Sequence, residues 1–176
     1  MVAQAVDRGA SVVDERGELV VFSSPAGFPF CVVGHHDESR RPRPVAWPGG
    51  QRSLLDQLSI DIPASAFERE CAFWTALTGW DVRVGSRPEF IERPPGLPLR
   101  LLLQRLDDPA DQHCGGHPDF ACSDVPAEQH RHVALGAALV RSMANWTTMA
   151  DPTGLHYCIA RRHPDTGILV EKTGAN

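Results

Sequence analysis

The sequence predicts an α+β protein assembled from a recurring strand–helix–strand–strand–strand unit, and three observations carry that prediction. The first is an internal repeat: residues 9–36 slide onto 136–163 without a gap, at a constant offset of 127. The identities are Gly9/Gly136, Ala10/Ala137, Val13/Val140, Pro25/Pro152, Gly27/Gly154, Cys31/Cys158 and His36/His163, where chance supplies about one or two. The second is strict alternation at 57–62, Leu58, Ile60 and Ile62 against Gln57, Ser59 and Asp61, running directly into helix-start signals. The third is that this order of signals occurs twice, in 53–106 and in 117–163.

Taken in order, residues 1–36 read as a helix end stopped by Gly9 and then three short strands, the back end of a unit without its front. Their apolar positions, Val12, Leu19, Val21, Phe28, Phe30 and Val32, expect cover. Such strands dock on the rest of the chain, complete a second copy as an exchanged arm, or mark the tail of a longer two-module protein. A homodimer with the arm in its interface is the expectation, because an open edge of that hydrophobicity aggregates. Residues 37–52, rich in Pro, Gly and charge, form a linker in which Arg40, Arg41 and Arg43 make a short basic run.

After the strand at 57–62, Ser65 and Glu68 have capping-box spacing, and Phe67, Cys71, Trp74, Phe73 and Leu77 form an apolar stripe that Gly79 ends. Strands are expected at 80–84, 89–92 and 99–106. The second unit opens with a strand at 117–122. Asp124 caps its helix, Pro126 sits in the first turn and Gly136 stops it. Strands at 138–142, 145–150 and 155–161 follow, the last two joined by the turn Asp151-Pro152-Thr153-Gly154. The tail, 164–176, has few anchors and reads as mobile.

Composition bounds the function classes. The 176 residues are 42% hydrophobic and 22% charged, with a net charge of −5 and a pI near 5.9. That balance disfavours nucleic acid and anionic membranes, which select basic surfaces. Neither a long apolar span nor a signal-peptide pattern is present, which places the chain in the cytoplasm. Five cysteines without a C-x-x-C pair argue against a disulfide framework; Cys31, Cys71, Cys122 and Cys158 sit in apolar runs and read as small buried hydrophobes.

The stretch A-F-W-T-A-L-T-G-W at 72–80, L-R-L-L-L-Q at 99–104, the H-x-D start at His117–Asp119, A-L-G-A at 134–137 and D-P-T-G-x-x-x-C together resemble the vicinal oxygen chelate superfamily, nearest its bacterial glyoxalase-like proteins. The resemblance covers about 53–163 and, through the repeat, 9–36. It implies paired βαβββ units in one curved mixed sheet around a cleft. Members with metal chemistry place ligands on the first and last strands of each unit, and those places fall here on Gln57, Gln104, His117 and Cys158. Two amides, one imidazole and one thiol suit a divalent cation poorly, so neither a metal nor any other cofactor is expected.

Alternation then assigns the cleft face. Leu58, Ile60, Ile62, Leu101 and Leu103 point to the helices; Gln57, Ser59, Asp61, Arg100, Leu102, Gln104, His117, Asp119, His156 and Cys158 point the other way. His117 and His156 are the candidate acid/base groups, with Asp119 beside His117 to fix its tautomer. Gln57, Asp61, Arg100, Gln104, Trp146 and Cys158 are candidate ligand-binding residues, although Asp61 and Arg100 have the plainer role of pairing with each other. His113, Cys114 and His117 form a rival zinc-type loop that lacks a second ligand cluster. Trp74, at helical spacing, is core. Two functional classes follow: an enzyme acting on a small organic molecule by acid/base chemistry, or a binding and sequestering module that catalyses nothing. The missing ligands argue against metal-dependent lactoylglutathione lyase and extradiol dioxygenase activities.

Overall fold

The computed structural model describes residues 1–34, 40–80, 82–83, 89–91, 96–108, 110 and 112–170; His36 and the ends of the strands expected at 80–84 and 89–92 lie outside these. The elements are α1 (Val2–Asp7), β1 (Ser11–Arg16), β2 (Leu19–Ser23), β3 (Pro29–Val33), β4 (Val45–Ala46), β5 (Arg52–Pro63), α2 (Phe67–Thr78), β6 (Val82–Arg83), β7 (Glu89–Ile91), β8 (Arg100–Leu106), β9 (Gly115–Cys122), α3 (Val125–Ala134), β10 (Ala138–Ser142), β11 (Trp146–Ala150) and β12 (His156–Ala160). The order β5-α2-β6-β7-β8 and then β9-α3-β10-β11-β12 is the doubled βαβββ pattern of the sequence. The described chain divides into two compact units, Met1–Arg40 with Ser59–Gly116, and Arg41–Leu58 with His117–Asn176, so that β5 and β9 each contribute to both. Among the described residues no helix is long and apolar enough to cross a membrane.

In the first unit the strand order is β5-β8-β7-β6, beside a separate three-stranded sheet β1-β2-β3. α2 ends as its sequence dictates, with Gly79 in the left-handed conformation at φ 68°. Its start differs: Ala66 is the N-cap with no side-chain cap, so the Ser65/Glu68 capping box does not form. The fully buried Glu70 has a different use, accepting from Trp74 Nε1 at 2.8 Å and from the Ala26 backbone N–H at 2.8 Å. That second bond ties α2 to the N-terminal arm.

The arm docks on this unit within the same chain. Phe22 stacks on Phe30 at 5.2 Å, and Phe30 packs against Phe73 and Trp74 of α2. Ile60, Ile62 and Leu103 close the same core. The cover that the arm's sequence demanded is therefore supplied without a second chain, and the homodimer expected on that ground loses it. On β2 the buried side chains are Val20 and Phe22, not Leu19 and Val21. A continuous run of apolar residues does not choose a face by itself. The pairing Phe22↔Phe30 and Val20↔Val32 chooses it. Cys31, expected buried, is exposed.

In the second unit the order is β10-β11-β12-β9-β5, with β4 antiparallel on β5. The sheet is mixed, since β12 and β9 run parallel while β10, β11 and β12 are antiparallel neighbours. Asp124 caps α3 by accepting from the Ala127 N–H, as expected. The segment read as a linker is structured from Arg41 onward: Arg41 pairs with the buried Asp56 at 2.7 Å and donates to the Pro164 carbonyl at 2.9 Å. The tail is likewise anchored to residue 170, because Arg52 grips Asp165 through two 2.8 Å bonds and Arg162 bridges to Leu169.

Candidate functional site

The polar face of the second unit is built by four strands whose registers fix which side chains share it. Asp151 accepts from Thr153 N–H, Thr153 Oγ1 and Leu155 N–H at 2.7–3.0 Å, locking the turn between β11 and β12. Those bonds hold its carboxyl below the usual range, the Thr153 side-chain bond being the largest cause. The locked turn sets Thr148 opposite Cys158, Trp146 opposite Ala160 and Ala150 opposite His156. On the other side of β12, Cys158 lies opposite Asp119 in the parallel pair. That pairing begins at Asp119, one residue past Pro118, whose missing N–H could not extend it. Period-2 alternation brings His117 onto the face of Asp119.

The result is a compact group. His117 Nε2 lies 3.4 Å from Asp119 Oδ1, both side chains largely buried. The Gln57 amide, 1% exposed, donates from Nε2 to Asp119 Oδ2. Cys158 Sγ completes the cluster: one donor atom each from His117, Asp119 and Cys158 lies within 4.8 Å of the others. Thr148 Oγ1 sits 3.7 Å from Cys158 Sγ. The structure therefore brings together His117, Asp119, Cys158 and Gln57 of the expected set. Trp146 and His156 share the face but are exposed at its margin, His156 one alternation, about 7 Å, from Cys158. Asp61, Arg100 and Gln104 belong to the other compact unit. So does Cys114, packed against that unit's core, where burial and then the charges of Glu70 and Asp61 push its thiol up to about 12. The His113-Cys114-His117 loop is thus not the ligand group; the one cluster of metal-competent donors among the described residues is His117, Asp119 and Cys158.

The donors discriminate between ions. A hard cation takes six or more oxygens, and one carboxylate does not approach that. Imidazole, carboxylate and thiolate are the ligand types of a zinc-class ion, which needs three protein ligands and an open position. The places carried over from the resemblance lacked a carboxylate; Asp119, two residues along the strand, supplies it. Gln57 lends its amide N–H to the Asp119 carboxylate.

The opposite face of the same sheet carries a network that strand alternation did not reveal. Glu128, fully buried, accepts from Arg131 at 2.6 and 3.1 Å and lies 3.1 Å from His132 Nε2, while His132 Nδ1 lies 2.8 Å from Tyr157 Oη. Arg131 also stacks 3.7 Å from the Trp47 ring centroid. Burial raises the Glu128 carboxyl, but the Arg131 and Ser53 hydrogen bonds and the Arg131 charge outweigh it, and the net shift is downward. Burial and then the Arg131 charge push the His132 imidazole down against Glu128. The i,i+3 and i,i+4 spacing of Glu128, Arg131 and His132 was the signal available. Two surface concavities of about 390 and 450 Å³ flank α3, and neither includes His117, Asp119 or Cys158. Trp47 and Arg131 of this network line the first of them, and we assign the network to fixing α3.

Residues 57–160 match the family model described as a glyoxalase-like domain. Two solved structures share the fold. One is a mutant of 4-hydroxymandelate synthase from Streptomyces coelicolor, 16% identical, at a TM-score of 0.51, covering 90% of this chain and 64% of that one. The other is a halotolerant catechol dioxygenase, 15% identical, at a TM-score of 0.52, covering 97% of this chain and 64% of that one. The chain thus spans somewhat under two thirds of the length of these structures. No curated protein matches it by sequence.

Proposed function

The chain belongs to the glyoxalase-like domain family, and on that premise we propose that it binds a small organic molecule on the face carrying His117, Asp119 and Cys158 and acts on it by proton transfer. The observation that supports this reading is the convergence of an imidazole, a carboxylate and a thiol on one sheet face, backed by a buried amide. Asp119 faces His117 Nε2 and favours the tautomer with its proton there. Nδ1 then carries the lone pair that accepts a proton from a bound molecule, and Asp119 stabilises the imidazolium that results. Gln57 keeps the carboxylate in place, a positioning role. Trp146 and His156 at the margin offer a flat apolar surface and a second polar group to a ligand. The runner-up is a module that binds the same class of molecule and releases it unchanged.

A thermal-shift screen of small polar and aromatic compounds tests both. Hits should weaken in His117→Ala and in Asp119→Asn while the variants stay folded. If every hit binds both variants as well as the native chain, the site lies elsewhere. Recovery of each hit unchanged after long incubation selects the binding module.

One observation favours a second reading in which the group holds a zinc-class ion. Two ligands of a tetrahedral ion with bonds of about 2.1 Å stand about 3.4 Å apart, which is the separation of His117 Nε2 and Asp119 Oδ1. His117, Asp119 and Cys158 would be the ligands, and such an ion supplies a Lewis acid and an activated water. Elemental analysis of protein prepared without chelator decides between the readings. About one zinc per chain, lost in Cys158→Ser, selects the ion; none, after zinc has been offered, selects the metal-free dyad.

A further inference from the structure

The sheet face that packs against α3 changes character along its strands. Toward one end it is apolar: Met149 and Ile159 have no exposure and pack with Cys122 in a small core. Two residues along, alternation returns each strand to the same face. There β11 carries Thr147, the chain leaving β12 carries Arg161, and β10 carries Ser142, directly opposite Thr147. Antiparallel pairing puts all three at one end, since Trp146 stands opposite Ala160 and the Arg161 N–H donates to the Asn145 carbonyl at 2.8 Å. A helix-covered sheet face is normally filled by apolar side chains. This one ends in two hydroxyls and a guanidinium.

Those three groups share a concavity of about 450 Å³ with the adjoining side of α3. Gln129 and Val133, about one turn apart, line it from the helix, and Met143 lines it beside Ser142. Val133 and Met143 are 46% and 45% exposed, so they leave apolar surface open next to the polar groups. The volume is that of a small-ligand site, roughly 300–1,000 Å³. Arg161 brings a permanent positive charge, and among the described residues no carboxylate lines the concavity. Asp124, at the head of α3, is engaged in capping, accepting from the Ala127 N–H at 2.9 Å.

We propose that this concavity is a second small-molecule site, on the face of the sheet opposite His117, and that it takes a carboxylate carried on an apolar body. Arg161 pairs with the carboxylate, and the Ser142 and Thr147 hydroxyls donate to it. Val133 and Met143 cover the apolar part. A neutral molecule of the same shape gains the apolar contact without the ion pair, and an inorganic anion gains the ion pair without the apolar contact. Both bind more weakly for that reason. The inference is independent of the chemistry proposed for His117.

The isotope-labelled full chain is titrated with benzoate, benzamide and inorganic phosphate, and its amide resonances are followed by heteronuclear NMR. Benzoate should shift the amides of Gln129, Ser142, Thr147 and Arg161 saturably, and bind at least about tenfold more tightly than either of the others. Arg161→Gln keeps the backbone bonds to Asn145 and Val170. It should weaken benzoate at least about tenfold and leave benzamide within about twofold. Arg161→Lys should recover part of the loss, Met143→Ser should weaken benzoate and benzamide alike, and His117→Ala should change nothing. The absence of saturable shifts at millimolar benzoate overturns the site, as do shifts centred on Trp146 and His156 that vanish in His117→Ala. Benzamide binding as tightly as benzoate overturns the choice of an anion, and phosphate doing so overturns the apolar half.

Discussion

Asp119 and Gln57 offer the sharpest test of the site, because each is buried and each satisfies the other. Asp119→Ala removes an acceptor that is 5% exposed and leaves the Gln57 amide N–H groups inside the sheet. A hydrogen bond to a charged group contributes about 1.5–3 kcal/mol, and the orphaned amide adds a desolvation penalty of about 1–3 kcal/mol. The expected loss is therefore about 3–5 kcal/mol. Gln57→Ala withdraws the amide donor from a buried carboxylate whose other oxygen lies 3.4 Å from His117 Nε2, and costs about 3 kcal/mol. In the double variant neither group is stranded, so the losses are not additive: the coupling should be about 1.5–3 kcal/mol. Urea unfolding of the four proteins, with equal slopes, measures it. Additivity within about 0.3 kcal/mol would refute the pairing, and with it the claim that Gln57 holds Asp119 in place for His117.

Three further outcomes are expected. Phe22→Ala, at a position with no exposure that stacks on Phe30, should cost about 3–5 kcal/mol; a loss under about 1 kcal/mol in urea unfolding means the arm is not docked in solution. Gly116→Ala would set a Cβ 2.8 Å from the Phe28 ring and 3.0 Å from the Ser59 carbonyl oxygen, and should cost about 1–3 kcal/mol by overpacking, partly recovered in the double variant with Phe28→Leu. His132 and Glu128 both titrate below their ordinary values of 6.5 and 4.5, so the unfolded chain holds these protons more tightly and stability falls with acid. For His132 the loss begins as pH drops through 6.5 and levels off below the folded imidazole's value; for Glu128 it begins near 4.5. Urea midpoints should fall between pH 7 and 5.5, less so in His132→Gln; flat midpoints over that window contradict the buried neutral imidazole.

Local rules were enough for the elements. Gly79 stops α2, Asp124 caps α3 and the Asp151–Gly154 turn forms because each is decided by backbone geometry and by groups a few residues apart. Alternation likewise found the strands of both units and placed His117 and Asp119 on one face, since period 2 is a property of a single strand. Ser65 had the spacing of a cap and makes none, because the tertiary environment sets the start of α2.

What the sequence determined by itself was therefore the α+β class, the doubled βαβββ order, the repeat, and the pairing of His117 with Asp119. The tertiary structure alone decided which groups from different strands meet. Cys158 reaches Asp119 through a parallel register, and no residue of either strand encodes a register on its own. Gln57 faces Asp119 across 62 positions of chain, and Arg41 leaves its basic run for a buried Asp56. Val20 and Phe22 rather than Leu19 and Val21 face the core, because the partner strand chose between two apolar faces of equal merit. Periodicity is local and burial is collective; a strand knows that it has two faces, and only its neighbours settle which one turns inward.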